Sequence, residues 1–254
     1  VSDVLFGDVM KRYGLEVSPT KRGVRWEIAR IEKFRQADFA SKQVGALTTL
    51  DIARWRDLRL TQVAPATVSR EMTLLSGILT VARREWGLIK VNPMADVRKP
   101  SSPPARDRTV TDAELERLAI SAGGDLTKST ARSFHAFLFA IETAMRAGEI
   151  LSLKPEDVDL DTRVCHLAMT KNGTSRDVPL SSEAVRLIEA LPPADTVFGL
   201  NSAQLDALWR KLRDRALVKG LTFHDSRHTA ITRLAQKVEV LDLARMTGHQ
   251  NIKE

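Results

Sequence analysis

Thr222-Phe223-His224-Asp225-Ser226-Arg227-His228-Thr229, followed downstream by Thr247-Gly248-His249, is the stretch from which the rest of the chain can be read. His224 and Arg227 are three apart, so at the start of a helix predicted over 224–236 they share one face on its first turn. A helix N-terminus already favours anions through its free N–H groups and its dipole. A second predicted helix, over 240–246, ends at Gly248 and leaves His249 just beyond it. Upstream, Arg146 closes a strongly apolar run predicted as a core helix over 129–145, which would give a guanidinium rigid support. Two guanidiniums can each grip a non-bridging oxygen of one phosphate and neutralise charge as the phosphorus becomes five-coordinate. Fixed cations of this kind supply that stabilisation with no metal and no cofactor.

Between these two parts lies a β region. Residues 163–170 and 175–180 are strand-like, and Lys171-Asn172-Gly173-Thr174 separates them. Asn-Gly between such runs is the strongest short hairpin signal, and it puts Lys171 at the tip of a β finger. Thr111 and Glu114 have capping-box spacing and open a helix to about residue 121. Further helices are predicted over 149–153, 181–191 and 201–217. His135, on the apolar helix, reads as a packed neighbour.

Three prolines in Lys99-Pro100-Ser101-Ser102-Pro103-Pro104 forbid helix and mark a linker over 99–108. The expected organisation is a helical domain over 1–98 and a second domain over 109–254. In the first, helices are predicted over 4–13 (stopped by Gly14), over 20–39, from Thr48-Thr49-Leu50-Asp51 onward, and from Pro65 to Gly87. Trp26, Ala29, Ile31, Phe34 and Ala37 make the apolar stripe of the second helix, and Ile52, Trp55 and Leu58 that of the third. Val68, Met72, Leu75, Leu79 and Ala82 recur at spacings of 4, 3, 4 and 3, which marks one buried face of the fourth. The fold class is mainly α with a small β-hairpin or sheet (α+β).

Net charge is +7, and its placement says more than its size. Residues 1–100 hold 18 Lys/Arg against 11 Asp/Glu, and the remainder is balanced at 21 of each. A polyanion would be drawn to the N-terminal part, with affinity falling as salt rises. The apolar run 134–141 is interrupted by His135 and too short to span a bilayer. The start, Val-Ser-Asp-Val, has no signal-peptide pattern, and the lone Cys165 has no internal partner. These point to a cytoplasmic protein with no membrane association.

Residues 143–151, the run Thr170-Lys171-Asn172-Gly173-Thr174-Ser175-Arg176-Asp177-Val178-Pro179-Leu180, residues 224–229 and Gly248-His249 resemble, in order and spacing, the motif boxes of the tyrosine recombinases (the phage-integrase family). The resemblance covers residues 107–254, and the N-terminal helices are similar to that family's core-binding domain. It implies a site-specific recombinase that cuts and rejoins double-stranded DNA. Arg146 and Arg227 would clamp the scissile phosphate, and His224 would assist proton transfer at the nucleophile. Lys171 would protonate the leaving 5′-oxygen, and His249 would donate to a phosphate oxygen. Glu149 and His228 would support these groups from behind. The family's nucleophile, a tyrosine about nine residues beyond the last histidine, would fall near position 258 and form a 3′-phosphotyrosyl link. The chain ends at Glu254 and its one tyrosine is Tyr13, so no nucleophile is assigned within it and these residues alone are expected to be inactive. The resemblance further implies a bacterial or phage-encoded, nucleoid-associated protein, monomeric off DNA and tetrameric on paired sites. Pro155 and Ser226 stand where the family often has tryptophan and leucine.

Other readings of the same residues are a DNA-binding regulator that keeps the fold without the chemistry, and a type IB topoisomerase-like relaxing enzyme. His224-Asp225-Ser226-Arg227-His228 also echoes a zinc-binding helix. However, Asp is a carbon shorter than the base that motif requires, and Arg227 would put a fixed positive charge beside the metal.

Overall fold

A computed structural model describes residues 3–101, 107–168, 175–236 and 238–247, with the side chains of Val240 and Leu241 left aside. It divides into two compact units, 1–105 and 106–254.

The first unit is helical: α1 (Phe6–Glu16), α2 (Val24–Phe34), α3 (Thr49–Leu60) and α4 (Pro65–Arg84). Pro65 opens α4, where a missing N–H costs nothing, and Val68, Met72, Leu75, Leu79 and Ala82 are each no more than 1% exposed. The same helix buries Glu71. Arg59 meets both of its oxygens, at 2.9 and 3.0 Å, and Arg30 adds a contact at 3.1 Å. A buried carboxylate is tolerated only when paired in this way, and the pairing ties α2 and α3 to α4. Thr48 caps α3 reciprocally with Asp51.

Three sequence expectations need correction here. Gly14 does not stop α1 but lies inside it, where a methyl group would come within 3.3 Å of Ile28 Cδ1. Its small size lets α2 approach. The second helix does not run from 20 to 39. It ends at Phe34 and tightens into a 3-10 turn at Asp38–Ser41, which turns Phe39 onto Phe6 and Trp55 at 5.5 and 5.8 Å. Trp26, Ala29 and Leu58 are exposed, so the apolar stripes of α2 and α3 are narrower than their spacing suggested.

The second unit is built on α6 (Ser129–Thr143), which is buried on two faces. Around it lie α5 (Asp112–Ala122), α7 (Ala147–Ser152), α8 (Ser182–Glu189), α9 (Ser202–Arg215), α10 (Asp225–Leu234) and α11 (Val240–Thr247). One face of α6 packs with α8 and the sheet through Ala136, Phe139 and Ala140. The other stacks Phe137 on Trp209 at 4.2 Å, with Phe223 edge-on to both. The Thr111–Glu114 capping box opens α5 as its spacing required.

The sheet has three antiparallel strands in the order β1-β2-β3: β1 (Val158–Asp159), β2 (Val164–Leu167) and β3 (Arg176–Pro179). Only two residues long, β1 has no counterpart among the elements expected from residue order. Val158 pairs with Cys165, and Cys165 with Val178, so the small residue sits at the buried centre, with burial pushing its thiol up to about 12. Among the described residues, no helix is long and apolar enough to cross a membrane.

Candidate active site

The site begins where α6 ends. Ala144 takes the left-handed conformation (φ 54°), which stops the helix and turns the chain outward. Arg146 then precedes α7, and its backbone N–H donates to Glu149 Oε2 at 2.8 Å, satisfying one of the free donors of that helix start. Its guanidinium, a quarter exposed, donates to Glu149 Oε1 at 3.2 Å. Helix α7 starts two residues earlier than the predicted 149–153, so Gly148 lies within it.

Arg227 reaches this turn from α10. Its side chain is buried and donates through Nη1 to the carbonyl of Ala144 and through Nη2 to that of Thr247 at 2.7 Å. One guanidinium therefore fastens the end of α6 to the end of α11. Burial, then the charge of Arg146, pulls its pKa down to about 10, partly offset by Glu149. It remains a cation at neutral pH.

His224 stands immediately before α10, and the N–H of Arg227 donates to its carbonyl at 3.0 Å. Its ring packs edge-on to His228 at 5.1 Å, while the residue as a whole stays exposed. Loss of water on the packed side holds its pKa below the ordinary 6.5, and His228, Arg227 and Arg146 add to this against Asp225. The imidazole is thus biased toward its neutral, proton-accepting form. Asp225, buried, accepts from the N–H of Thr222 at 2.7 Å and fixes the turn into α10.

Arg176, the first residue of β3, belongs to this site although the sequence did not single it out. It meets both oxygens of Glu149, at 2.9 and 2.7 Å, and donates from Nε to the carbonyl of Met246 at 3.1 Å. Burial alone would raise the Glu149 pKa, but the bonds from Arg176 and from the Arg146 N–H outweigh it and hold the carboxyl low. Strand alternation could have pointed to Arg176, since period two puts it on the face of the buried Val178.

Arg146, Glu149, His224, Arg227 and His228 are thus gathered around the end of α6. Two guanidiniums, Arg146 and Arg176, contact one carboxylate there and a third, Arg227, feels its charge, an excess of positive charge suited to an anion. Lys171 and His249 lie outside the described residues. Tyr13 is 2% exposed in the other unit's core, where its hydroxyl accepts from Lys21 Nζ at 2.5 Å, so it is unfit to act as a nucleophile.

Residues 108–254 match the model of the phage integrase family. The whole chain is 40% identical to a putative integrase/recombinase of Haemophilus influenzae, across 98% of this chain and 84% of that protein. It is 36% identical to a shufflon-specific DNA recombinase of Escherichia coli, across 96% of this chain and 65% of the relative. In fold it is similar to the Tn1549 transposon integrase solved with circular intermediate DNA (TM-score 0.79, 18% identity, 98% of this chain and 93% of that one). It is equally similar to a lambda integrase tetramer bound to a Holliday junction (TM-score 0.80, 18% identity, 99% and 79%).

Proposed function

Because the chain belongs to the phage integrase family, whose members are tyrosine recombinases, we propose that it is a site-specific DNA recombinase in which Arg146 and Arg227 clamp the scissile phosphate. The observation that carries this reading is Arg227, a buried guanidinium kept charged beside a second one, Arg146, at the start of α7. Holding a buried cation beside a second one with a single carboxylate near them leaves net positive charge that an incoming anion offsets.

A tyrosine near position 258, beyond the 254 residues, attacks the phosphorus, and its phenolic proton passes to neutral His224. The bond to the 5′-oxygen breaks as Lys171 donates a proton to it, leaving a 3′-phosphotyrosyl link. His249 donates to a phosphate oxygen. A 5′-hydroxyl from a second end reverses the steps, so the bond energy is kept without a nucleotide cofactor. Fixed cations provide the electrostatic stabilisation in place of a metal. Residues 1–98 grip duplex DNA as a core-binding domain, 99–108 form the linker, and 109–254 carry the chemistry. The seven-charge excess in residues 1–100 supports the first of these assignments. The protein works as a monomer off DNA and as a tetramer on paired sites, at the bacterial nucleoid. The lambda integrase tetramer supports that stoichiometry.

The test starts by enriching a binding site from a random duplex pool with the 254-residue chain. A tyrosine-bearing tail appended after Glu254 should then give a covalent protein–DNA adduct on that site, and changing the tyrosine to phenylalanine should abolish it. Binding with no adduct would favour a non-catalytic regulator, and plasmid relaxation without the site a topoisomerase-like enzyme.

A further inference from the structure

We propose that Arg176 is a positioning residue that occupies Glu149 and so leaves the guanidinium of Arg146 available to a substrate phosphate. This rests on the reading of Arg146 given above. Glu149 is one negative charge between two arginines, and the geometry divides it unequally. Arg176 takes both oxygens at 2.9 and 2.7 Å, with both side chains 9% exposed. The Arg146 guanidinium, a quarter exposed, makes only the longer contact at 3.2 Å, while the backbone N–H of the same residue donates to Oε2 at 2.8 Å. Among the described residues, that carboxylate is the one side-chain partner of a group with five donors.

The division follows from the fold. Arg176 is the first residue of β3, directed to the buried face of the sheet, and its Nε is held by the Met246 carbonyl near the end of α11. Fixed at that end, its fork can meet Glu149 squarely. Arg146 lies two residues past the left-handed Ala144 and keeps a quarter of its side chain exposed. Were Arg176 absent, a nearly buried carboxylate would have lost its main cation. The nearest replacement is Arg146 Nη1, already at 3.2 Å, and a small torsion of Glu149 would close both oxygens on it. The clamp would then be neutralised by its own support.

The test needs no DNA. In the free chain, the rate at which phenylglyoxal modifies Arg146, followed by peptide mass spectrometry, reports how free its guanidinium is. In Arg176→Met that rate should fall about tenfold, the equivalent of one charge-assisted hydrogen bond. The double variant Arg176→Met/Glu149→Gln should restore it, because glutamine keeps the capping contact to the Arg146 N–H without the charge. Loss of a merely structural tie would not be rescued by a second change. Arg176→Lys, which can meet only one oxygen, should fall between, and it serves as the readout if the methionine variant does not fold. Unchanged modification of Arg146 in both Arg176 variants, or a fall that Glu149→Gln does not reverse, overturns the proposal. Should the modification pattern come out as stated while Arg176→Met still cleaves the enriched site at the wild-type rate, the phosphate role of Arg146 fails instead.

Discussion

Replacing Arg227 by methionine should separate what this cation does for the substrate from what it does for the fold. Keeping it charged in a buried place, with its pKa drawn down from the ordinary arginine value to about 10, costs the folded state roughly 3 kcal/mol. Against that stand its bonds to the Ala144 and Thr247 carbonyls, which for a charged donor are worth about 1.5–3 kcal/mol each. The two nearly offset, and methionine fills much of the same space. The variant should therefore lose only about 0–3 kcal/mol of stability, read by thermal or urea unfolding. The loss to the reaction is of a different order. An anion that gains charge as it becomes five-coordinate would lose a fixed donor pair, worth about 100- to 1,000-fold in rate. The assay is accumulation of the covalent adduct by the tyrosine-extended protein on its enriched site, at a temperature where both proteins are folded. Cleavage within tenfold of wild type would refute the role given to Arg227. So would a stability loss large enough to account for the whole effect.

Three further outcomes follow from the same structure. Thr229→Val removes the acceptor of the buried Val110 N–H at 3.0 Å and should cost about 1–3 kcal/mol by chemical denaturation. Among the described residues the buried indole N–H of Trp209 has no partner, so phenylalanine there should cost little, whereas alanine should cost about 3–5 kcal/mol through the lost stack on Phe137. His224 should make the protein's pH response change sign with its ligand. In the free chain its pKa lies below the ordinary 6.5, so its share of stability is complete above that value and is lost as pH falls below it. A docked phosphate raises the same pKa, so DNA binding should take up a proton and tighten as pH falls from 7.5 to 6, by about threefold to tenfold. His224→Asn should flatten that dependence, and an identical slope in the variant would assign the proton elsewhere.

Much of this arrangement could be read from residue order, because several signals were local. The α4 stripe, the start of α3 at Thr48, the Thr111 cap and the pairing of the two strand-like runs each depend on neighbours within one turn or one hairpin. The placement of Arg227 three residues into α10 is equally local. What escaped was set by tertiary contact. Phe39 leaves the line of α2 because an aromatic pocket formed by Phe6 and Trp55 takes it. Gly14 continues a helix because a neighbour needs the room. Arg176 was quoted as part of a motif, yet its bond to Glu149 joins residues 27 apart in sequence, and nothing in the spacing pairs them. Two-residue β1 has too short a pattern to detect, and it exists because β2 offers it an edge.

In the proposed mechanism Arg146, Arg227 and His224 address one and the same phosphodiester. This can be measured by replacing each phosphate of the enriched site in turn with an uncharged methylphosphonate and forming double-mutant cycles with Arg146→Met, Arg227→Met and His224→Asn. All three residues should couple to a single position by about 1 kcal/mol or more and to its neighbours by much less. Coupling of the three residues to different phosphates, or to none, would contradict it.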